Sequence, residues 1–241
     1  MKETSWKIID SGSASAEANM LLDEQLLKDL PAESCQPVLH LYDWTASSAT
    51  YGYFTDPYTL LNASTVKDSG LQLARRPTGG GVIFHLTDFA FSILVPAGNP
   101  NYSVNILDNY AYVNHLLIEI IEQFSDKKLR CSLLQTEPKV ADLHSGFFCM
   151  AKPTKYDIVT HDGRKVAGGA QRRTKNGFLH QGTISLALPD SDFLQQVLLP
   201  GTCVLEAMKQ TTHSLLGSHV SFEDITNARA RLRLLFCDYS L

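Results

Sequence analysis

Residues 156–186 read YDIVTHDGRKVAGGAQRRTKNGFLHQGTISL, and this stretch predicts an antiparallel meander. A first strand over residues 156–160 is followed by Asp162-Gly163, a step that strongly favours a two-residue hairpin turn. The chain returns over residues 165–171 and, after a second turn, forms a third strand over residues 178–186. Strands joined by short turns pair antiparallel, which indicates a sheet that is not of the doubly wound parallel type.

The segments on either side of the meander contain both strands and helices. Residues 15–30 carry apolar side chains at helical spacing, with Ser13 or Ser15 as the candidate N-cap. The expected fold class is α+β, with a mixed, largely antiparallel sheet flanked by helices. Further strands are predicted at residues 6–10, 38–42, 51–54, 71–74, 82–85 and 89–95, and further helices at residues 104–124, 191–198 and 222–236, with a turn at residues 10–13.

The composition is that of one globular domain. Of the 241 residues, 44% are hydrophobic and 19% are charged, which is enough apolar material for one sizeable core. We therefore expect a single domain over residues 1–241, with no separate accessory domain at its C-terminal end. The net charge of -4 provides no basic field for a nucleic acid partner.

The cysteines and the apolar segments indicate a cytoplasmic protein. Cys35, Cys131, Cys149, Cys203 and Cys237 form no CxxC pair and no zinc spacing, so neither a disulfide framework nor a metal site is expected. The first ten residues hold no run of the signal-peptide type, and no stretch approaches the ~20 apolar residues of a membrane span. We expect no membrane partner.

The first candidate site is the loop that contains Gly79, Gly80 and Gly81, preceded by Arg75 and Arg76. Glycines between predicted strands make physical sense where the backbone approaches a ligand and offers N–H donors to an anion. Guanidinium groups match a carboxylate or a phosphate bidentately. A plain tight loop with solvated arginines is the alternative interpretation.

The second candidate site lies in the meander itself. Lys165 opens an apolar strand, where its ammonium could enter a pocket and neutralise a carboxylate, a phosphate or an oxyanion. Gly168 and Gly169 leave room in that strand for a slender ligand or a crossing backbone. His180 lies on the next strand and would stand beside the strand that carries Lys165 if the hairpin pairs as predicted. An ordinary lysine at a hairpin end and a structural histidine are the alternatives.

These two segments resemble the signatures of the lipoate-protein ligase A family. RRPTGGGVIFH at residues 75–85 resembles the family's RRxSGGGxVxHD motif, and residues 156–186 resemble the segment that carries its K-x-x-G lysine. SAEANMLLDEQLL, within residues 14–27, is similar to the family's first helix. The resemblance implies a mixed sheet flanked by helices, as in the biotin and lipoate ligase catalytic domains. The glycine-arginine phosphate loop of biotin ligases and the RGG…HGPGQ pattern of LipB-type transferases are both missing.

The resemblance also implies roles for individual residues. Lys165 would lie at the acyl carbonyl and the α-phosphate, and His85 would help to position the loop. Arg75 and Arg76 would sit near phosphate or carboxylate. The implied substrate and adenylate site consists of Arg75, Arg76, Thr78, Gly79, Gly80, Gly81, His85, Gly168, Gly169, Ala170 and His180.

Two departures from the family pattern lead to two mechanisms. Leu86 stands where an aspartate usually follows the histidine, with Asp88 two residues later. Residues 149–157, CMAKPTKYD, resemble the C-x-x-x-P-x-x-[YF]-[DE] segment of the related cysteine-dependent octanoyltransferases, in which the cysteine carries an acyl thioester. Cys149 is then a nucleophile, although a small buried hydrophobe is its other interpretation.

The leading prediction is an ATP-dependent lipoate-protein ligase, because the Gly-Gly-Gly form of the loop matches that branch. It would use ATP and Mg²⁺ as co-substrates to form lipoyl-adenylate from lipoic acid. The lipoyl group would pass to a lysine of an apo lipoyl domain, in a 2-oxoacid dehydrogenase complex or the glycine cleavage H protein. The alternative is an octanoyltransferase that moves octanoate from acyl carrier protein through a Cys149 thioester without nucleotide. An inactive module that binds lipoyl domains or lipoate is a third possibility.

Overall fold

The computed structural model describes residues 5–140, 142–218 and 220–239. Within these ranges the strands are β1 (Lys7–Ala14), β2 (Val38–Trp44), β3 (Ser48–Tyr51), β4 (Gln72–Arg75), β5 (Val82–His85), β6 (Asp88–Pro96), β7 (Cys131–Leu133), β8 (Ile158–Thr160), β9 (Lys165–Thr174) and β10 (Gly177–Ser185). The helices are α1 (Ala16–Lys28), α2 (Ala63–Asp68), α3 (Ile106–Phe124), α4 (Ser191–Val197), α5 (Val204–Thr211) and α6 (Phe222–Tyr239), with 3-10 turns at Pro57–Thr59 and Ser145–Phe147.

Seven strands form the main sheet, in the order β1-β2-β6-β10-β9-β8-β7. Only β1 and β2 pair in parallel, and every other neighbouring pair in this sheet is antiparallel. In the hairpin of β9 and β10, Gly169 lies opposite Gly182 and Gly168 lies opposite Thr183. The predicted meander and the predicted α+β class are therefore confirmed.

A smaller sheet, in the order β4-β3-β5, lies beside the main one. Its central strand, Ser48–Tyr51, corrects the predicted strand at residues 51–54. Residues 48–50 look like loop in the sequence because they are small and polar. They are buried all the same, since β4 pairs on one side and β5 on the other. The chain turns at Gly52, where a side chain would overlap the carbonyl of Gly80.

The first strand is longer than predicted. β1 continues through residues 10–13, which were predicted as a turn, and ends at Ala14. Its register with β2 shifts between Asp10 and Ser13, and Gly12 has a φ of +68° there. The sequence signal for a turn is thus the signal of a β-bulge, which keeps the strand in the sheet.

Helices cover both faces of the main sheet. α1 is capped by Ser15, whose hydroxyl accepts from the Ala18 N–H at 3.2 Å, and it packs on the face that carries Ala90. α3 and α6 pack on the opposite face, against Phe89 and Phe91. Neighbouring residues of β6 thus point to opposite layers, as the period of a strand requires. None of the described helices is long and apolar enough to cross a membrane.

Most helices were predicted and two short ones were not. α1, α3, α4 and α6 lie where apolar side chains recur at helical spacing. α2 and α5 have only 6 and 8 residues, so each offers too few turns for a periodic signal. The N-cap residue of α5 is Cys203, whose side chain forms no capping hydrogen bond, so the usual sequence sign of a helix start is missing.

Candidate active site

A cavity of about 270 Å³ opens between the two sheets, beside the segment of residues 146–154. The glycine loop forms one wall, strand β9 forms another, and Tyr110 of α3 closes part of the rim. Ten of the residues predicted for the site line this cavity together: Arg76, Gly79, Gly80, Gly81, His85, Cys149, Lys165, Gly168, Gly169 and Ala170.

The glycine loop packs against the segment that carries Cys149. A side chain on Gly81 would overlap the backbone carbonyl of Phe147, because the two chains run in direct contact. Val82 pairs in parallel with Phe148, and the Cys149 N–H donates to the Val82 carbonyl at 3.0 Å. The backbone of Cys149 is therefore held against the end of the loop and the start of β5.

The rest of the loop is open toward the cavity. A side chain on Gly79 would meet no atom within 4 Å, and Gly80 has a φ of +89°, which favours glycine. No described residue accepts a hydrogen bond from the backbone N–H of Gly79 or Gly80. Free backbone donors in a glycine loop can bind an anionic oxygen.

Arg76 is buried, with 5% of its surface exposed, and it holds the loop in shape. Its Nη1 donates to the carbonyl and the hydroxyl of Thr50 at 3.0 and 2.8 Å. Its Nη2 donates to the carbonyls of Gly79 and Gly81 at 3.0 and 2.8 Å. Burial lowers the pKa of Arg76, and negative charge on the Cys149 thiol opposes that shift. Nη2 of Arg76 and Sγ of Cys149 both lie beside Gly80.

Lys165 forms a buried ion pair that the sequence did not predict. Its Nζ lies 2.7 Å from Oδ2 of Asp157 and donates to the Cys149 carbonyl at 2.9 Å. Asp157 also accepts from the N–H and the hydroxyl of Thr154, at 2.7 and 3.0 Å. Asp157 closes the CMAKPTKYD segment, which was its only sequence signal.

The glycines of β9 leave room for two of the protein's own side chains. A Cβ on Gly168 would lie 2.6 Å from Cε and 2.7 Å from Nζ of Lys165, and would overlap Asp157. A Cβ on Gly169 would overlap the ring of His180. Both glycines also line the cavity, which therefore reaches the backbone of β9.

His85 finds its carboxylate partner three residues further along the chain. The signature aspartate is replaced by Leu86, and Oδ2 of Asp88 lies 2.7 Å from Nδ1 of His85 instead. Nε2 of His85 is 2.8 Å from the hydroxyl of Thr50. Burial would raise the pKa of Asp88, but the charge and hydrogen bond of His85 hold it below its ordinary value. The departure in sequence therefore keeps a histidine–aspartate pair in the structure.

Three predicted site residues do not line the cavity. Arg75 lies outside it, with its guanidinium 4.6 Å from the centre of the Tyr53 ring, because β4 directs neighbouring side chains to opposite faces. Thr78 is fully buried, and its hydroxyl donates to Gln181 at 2.7 Å. His180 is buried on the α3 face of β10, stacked on Phe91, where burial lowers its pKa to about 3. Thr78 and His180 thus contact residues that line the cavity, Gln181 and Gly169, without lining it themselves.

Tyr110 and Gln181 line the cavity although the sequence analysis did not select them. The Tyr110 hydroxyl accepts from the Gln171 N–H at 2.9 Å, and burial raises its pKa to about 12. Gln181 donates to Asp23 of α1 at 2.7 Å. Helical periodicity marks Tyr110 only as a core residue, so nothing local identifies it as part of a site. Among the residues described, no group of three or more His, Cys, Asp or Glu could hold a metal ion.

The fold and this site define a class of acyl-attaching enzymes. The family described as "Lipoyl protein ligase A/B catalytic domain" matches residues 15–229, and the chain belongs to it. The resemblance found in the sequence is therefore confirmed, and the protein is an enzyme of lipoyl or octanoyl transfer.

Two octanoyltransferases are similar to the chain in sequence. The chain is 31% identical to the octanoyltransferase LipM of Bacillus subtilis (strain 168) over 214 residues, which cover 87% of this chain and 76% of that protein. It is 32% identical to the octanoyltransferase LipM of Lysinibacillus sphaericus (strain C3-41) over 195 residues, 79% of this chain and 69% of the other.

Solved structures share the fold. A lipoate-protein ligase A bound with ATP matches with a TM-score of 0.68 and 20% identity, covering 98% of this chain and 85% of its own. The bipartite lipoate protein ligase from Thermoplasma acidophilum, studied with its E2 lipoyl domain, matches with a TM-score of 0.69 and 19% identity, covering 98% and 84%. The predicted lipoate ligase type of fold is therefore confirmed.

Proposed function

We propose that this protein is an octanoyltransferase that carries the octanoyl group on Cys149. The octanoyltransferase is the alternative mechanism predicted from the sequence, and we favour it over the ATP-dependent ligase. The observation that supports it most is the position of the Cys149 thiol, which faces the cavity shared by Arg76 and Lys165. The named octanoyltransferase relatives support the same mechanism.

The first step loads the enzyme. The Cys149 thiolate attacks the thioester carbonyl of octanoyl-acyl carrier protein, and a new carbon–sulfur bond forms. The carbonyl oxygen becomes an oxyanion, and the open N–H groups of Gly79 and Gly80 are the donors offered to it. The tetrahedral intermediate then expels the carrier thiolate, which takes a proton from solvent.

The second step unloads the enzyme onto its acceptor. The neutral amine of a lysine, on a lipoyl domain of a 2-oxoacid dehydrogenase complex or on the glycine cleavage H protein, attacks the Cys149 thioester. The carbon–nitrogen bond forms, the carbon–sulfur bond to Cys149 breaks, and the thiolate is regenerated. The amine nitrogen loses its extra proton to solvent, which leaves a neutral amide and balances the cycle without nucleotide.

Lys165 and Asp157 position the nucleophile in this scheme. The ammonium bonds the backbone carbonyl of Cys149, while Asp157 fixes the ammonium. A buried ion pair with further hydrogen bonds is rigid, so it holds the Cys149 backbone at one distance from β9. Precise placement of this kind contributes to catalysis by keeping the reacting atoms close.

The ligase remains the competing function, and one experiment separates the two. The purified protein is incubated with an apo lipoyl domain in two tubes, one with octanoyl-acyl carrier protein and no nucleotide, the other with lipoate, ATP and Mg²⁺. The intact mass of the domain is then measured. We expect an octanoyl gain in the first tube that Cys149→Ala abolishes and Cys35→Ala, at an exposed cysteine, leaves intact.

The opposite pattern supports the ligase. A lipoyl gain confined to the second tube, retained in Cys149→Ala and lost in Lys165→Ala, contradicts the proposed transferase. It would make the leading sequence prediction, with ATP and Mg²⁺ as co-substrates, the function of this protein.

A further inference from the structure

Two buried cations face the cavity, and they differ in what balances their charge. Lys165 is 4% exposed, and its ammonium is 2.7 Å from the Asp157 carboxylate, which is itself 3% exposed. This ion pair is neutral as a whole. Opposite charges at this distance cancel most of each other's field at a third group.

Arg76 has no such balance. Its four hydrogen bonds go to three carbonyls and one hydroxyl, all of them neutral. Among the residues that the structure describes, no carboxylate forms an ion pair with it. A buried charge without a counter-ion is unfavourable, because desolvation is not offset by attraction.

The thiol of Cys149 is the ionisable group that Arg76 faces. Both lie against Gly80, since a Cβ there would be 3.2 Å from Nη2 of Arg76 and 3.8 Å from Sγ of Cys149. A thiolate at this position would supply the missing negative charge. Opposite charges a few ångströms apart in a buried site stabilise each other's charged form.

We propose that Arg76, and not Lys165, is the cation that stabilises the Cys149 thiolate. This inference rests on the proposed function, in which that thiolate is the nucleophile. It also replaces the role that the sequence resemblance implies for Arg76, which is contact with a phosphate or a carboxylate. Lys165 instead acts as a positioning residue through the Cys149 backbone.

Other titratable groups near the thiol do not supply this charge. Tyr110 of α3 lines the same cavity and is neutral at pH 7, because burial raises its pKa to about 12. His85 of β5 is bound to Asp88, and Lys152 of the nucleophile's own segment pairs with Glu137 at 3.5 Å. His85, Lys152 and Lys165 each have a carboxylate partner, which leaves Arg76 as the cation facing the cavity without one among the residues described.

The test measures how fast Cys149 reacts with iodoacetamide at pH 7, followed on the Cys149 peptide by mass spectrometry. Only the thiolate reacts, so the rate reports its population. Arg76→Gln is expected to slow alkylation about tenfold, because the thiolate loses the positive charge that faces it. The matched control is Arg75→Gln, the same change at the neighbouring arginine outside the cavity, which should alter the rate less than about twofold.

A second variant separates the two cations. Lys165→Met combined with Asp157→Asn removes the neutral pair and leaves the net charge of the cavity unchanged. We expect it to keep the alkylation rate within about threefold of wild type, although octanoyl transfer should be lost with the positioning contacts. A wild-type rate in Arg76→Gln, or an equal loss in the double variant, overturns the proposal.

If Arg76→Gln does not fold, a measurement on the wild-type protein decides. An uncompensated cation beside the thiol should favour the anionic reagent iodoacetate over iodoacetamide at Cys149, compared with the exposed Cys35 of the same molecule. A preference at Cys149 no greater than at Cys35 overturns the proposal. Alkylation needs no acyl donor, so this outcome is distinguishable from a failure of octanoyl transfer itself.

Discussion

The glycines of the 79–81 loop and the glycines of strand β9 look alike in the sequence, yet they leave room for different things. Gly79 faces open space. At Gly81 the missing Cβ leaves room for the carbonyl of Phe147, on the segment that carries Cys149. At Gly168 the missing Cβ leaves room for the Lys165–Asp157 pair, and at Gly169 it leaves room for His180. The 79–81 loop therefore allows the Cys149 segment to pack closely. The β9 glycines allow the polar side chains of Lys165, Asp157 and His180 to pack closely.

The difference shows what a glycine in a motif does and does not imply. Close approach was a correct expectation at Gly81, Gly168 and Gly169, but the partner that approaches is the protein's own chain. Only Gly79 and the N–H groups around it remain open to a ligand among these positions. The four positions should therefore respond very differently to the same added methyl group.

The largest effect is expected from Gly81→Ala. Its Cβ would overlap a backbone carbonyl, which cannot rotate away as a side chain can, so the Cys149 segment must shift. A displacement of about 1 Å at a reacting group can cost about a hundredfold in rate. We expect octanoyl transfer to fall by at least about that factor. Steady-state transfer to an apo lipoyl domain measures this loss. Activity within tenfold of wild type would contradict the close packing of Gly81 as a requirement for transfer.

A smaller but still large effect is expected from Gly168→Ala. The new methyl would meet the ammonium end of Lys165 and its carboxylate partner, both of which have some freedom to move. We expect transfer to fall by about thirtyfold, since positioning effects of this kind lie between one and two orders of magnitude. A crystal structure of the variant should show the Lys165–Asp157 contact broken. An intact contact with full activity would contradict the role given to this glycine.

His180 of β10, which packs against Gly169, should contribute to stability rather than to activity. Burial lowers the pKa of His180 from 6.5 to about 3, so between these values only the unfolded chain takes up the proton. Stability therefore falls as the pH falls below 6.5, by about 1.4 kcal/mol per pH unit, or about 2 kcal/mol at pH 5. Urea denaturation across this range measures it. His180→Gln should flatten that acid slope, and an unchanged slope would rule out His180 as its source.

The smallest effect is expected from Gly79→Ala. Its Cβ would meet nothing within 4 Å, and its φ is not in the left-handed region. We expect stability to change by less than about 0.5 kcal/mol, as at other sites free of special features. Transfer should fall by less than in Gly168→Ala, because the methyl group takes space in the cavity but displaces no part of the protein. A loss of transfer as large as that of Gly81→Ala would contradict the expected difference between Gly79 and Gly81.

Much of this architecture follows from local sequence patterns. The Asp162-Gly163 turn joins β8 to β9, the Ser15 cap starts α1, and the two glycine segments form two walls of the cavity. In each of these cases a few neighbouring residues contain the physical cause. The α+β class follows from the order of such elements.

What the sequence did not reveal depends on contacts between distant parts of the chain. Asp157 is recognisable only once β9 brings Lys165 next to it, and Tyr110 only once α3 packs against the cavity. β3 is a strand because two partners pair with it, although its own residues have weak strand character. Arg75 and Arg76 look equivalent until the strand directs them to opposite sides.

Acylation of Cys149 can be observed before any acceptor is added. The protein is incubated with octanoyl-acyl carrier protein alone, and its intact mass is recorded. We predict a gain of one octanoyl group, located on the Cys149 peptide, released by hydroxylamine as a thioester should be, and absent in Cys149→Ala. An unmodified wild-type protein, together with octanoylation of an apo lipoyl domain by Cys149→Ala, would contradict the account.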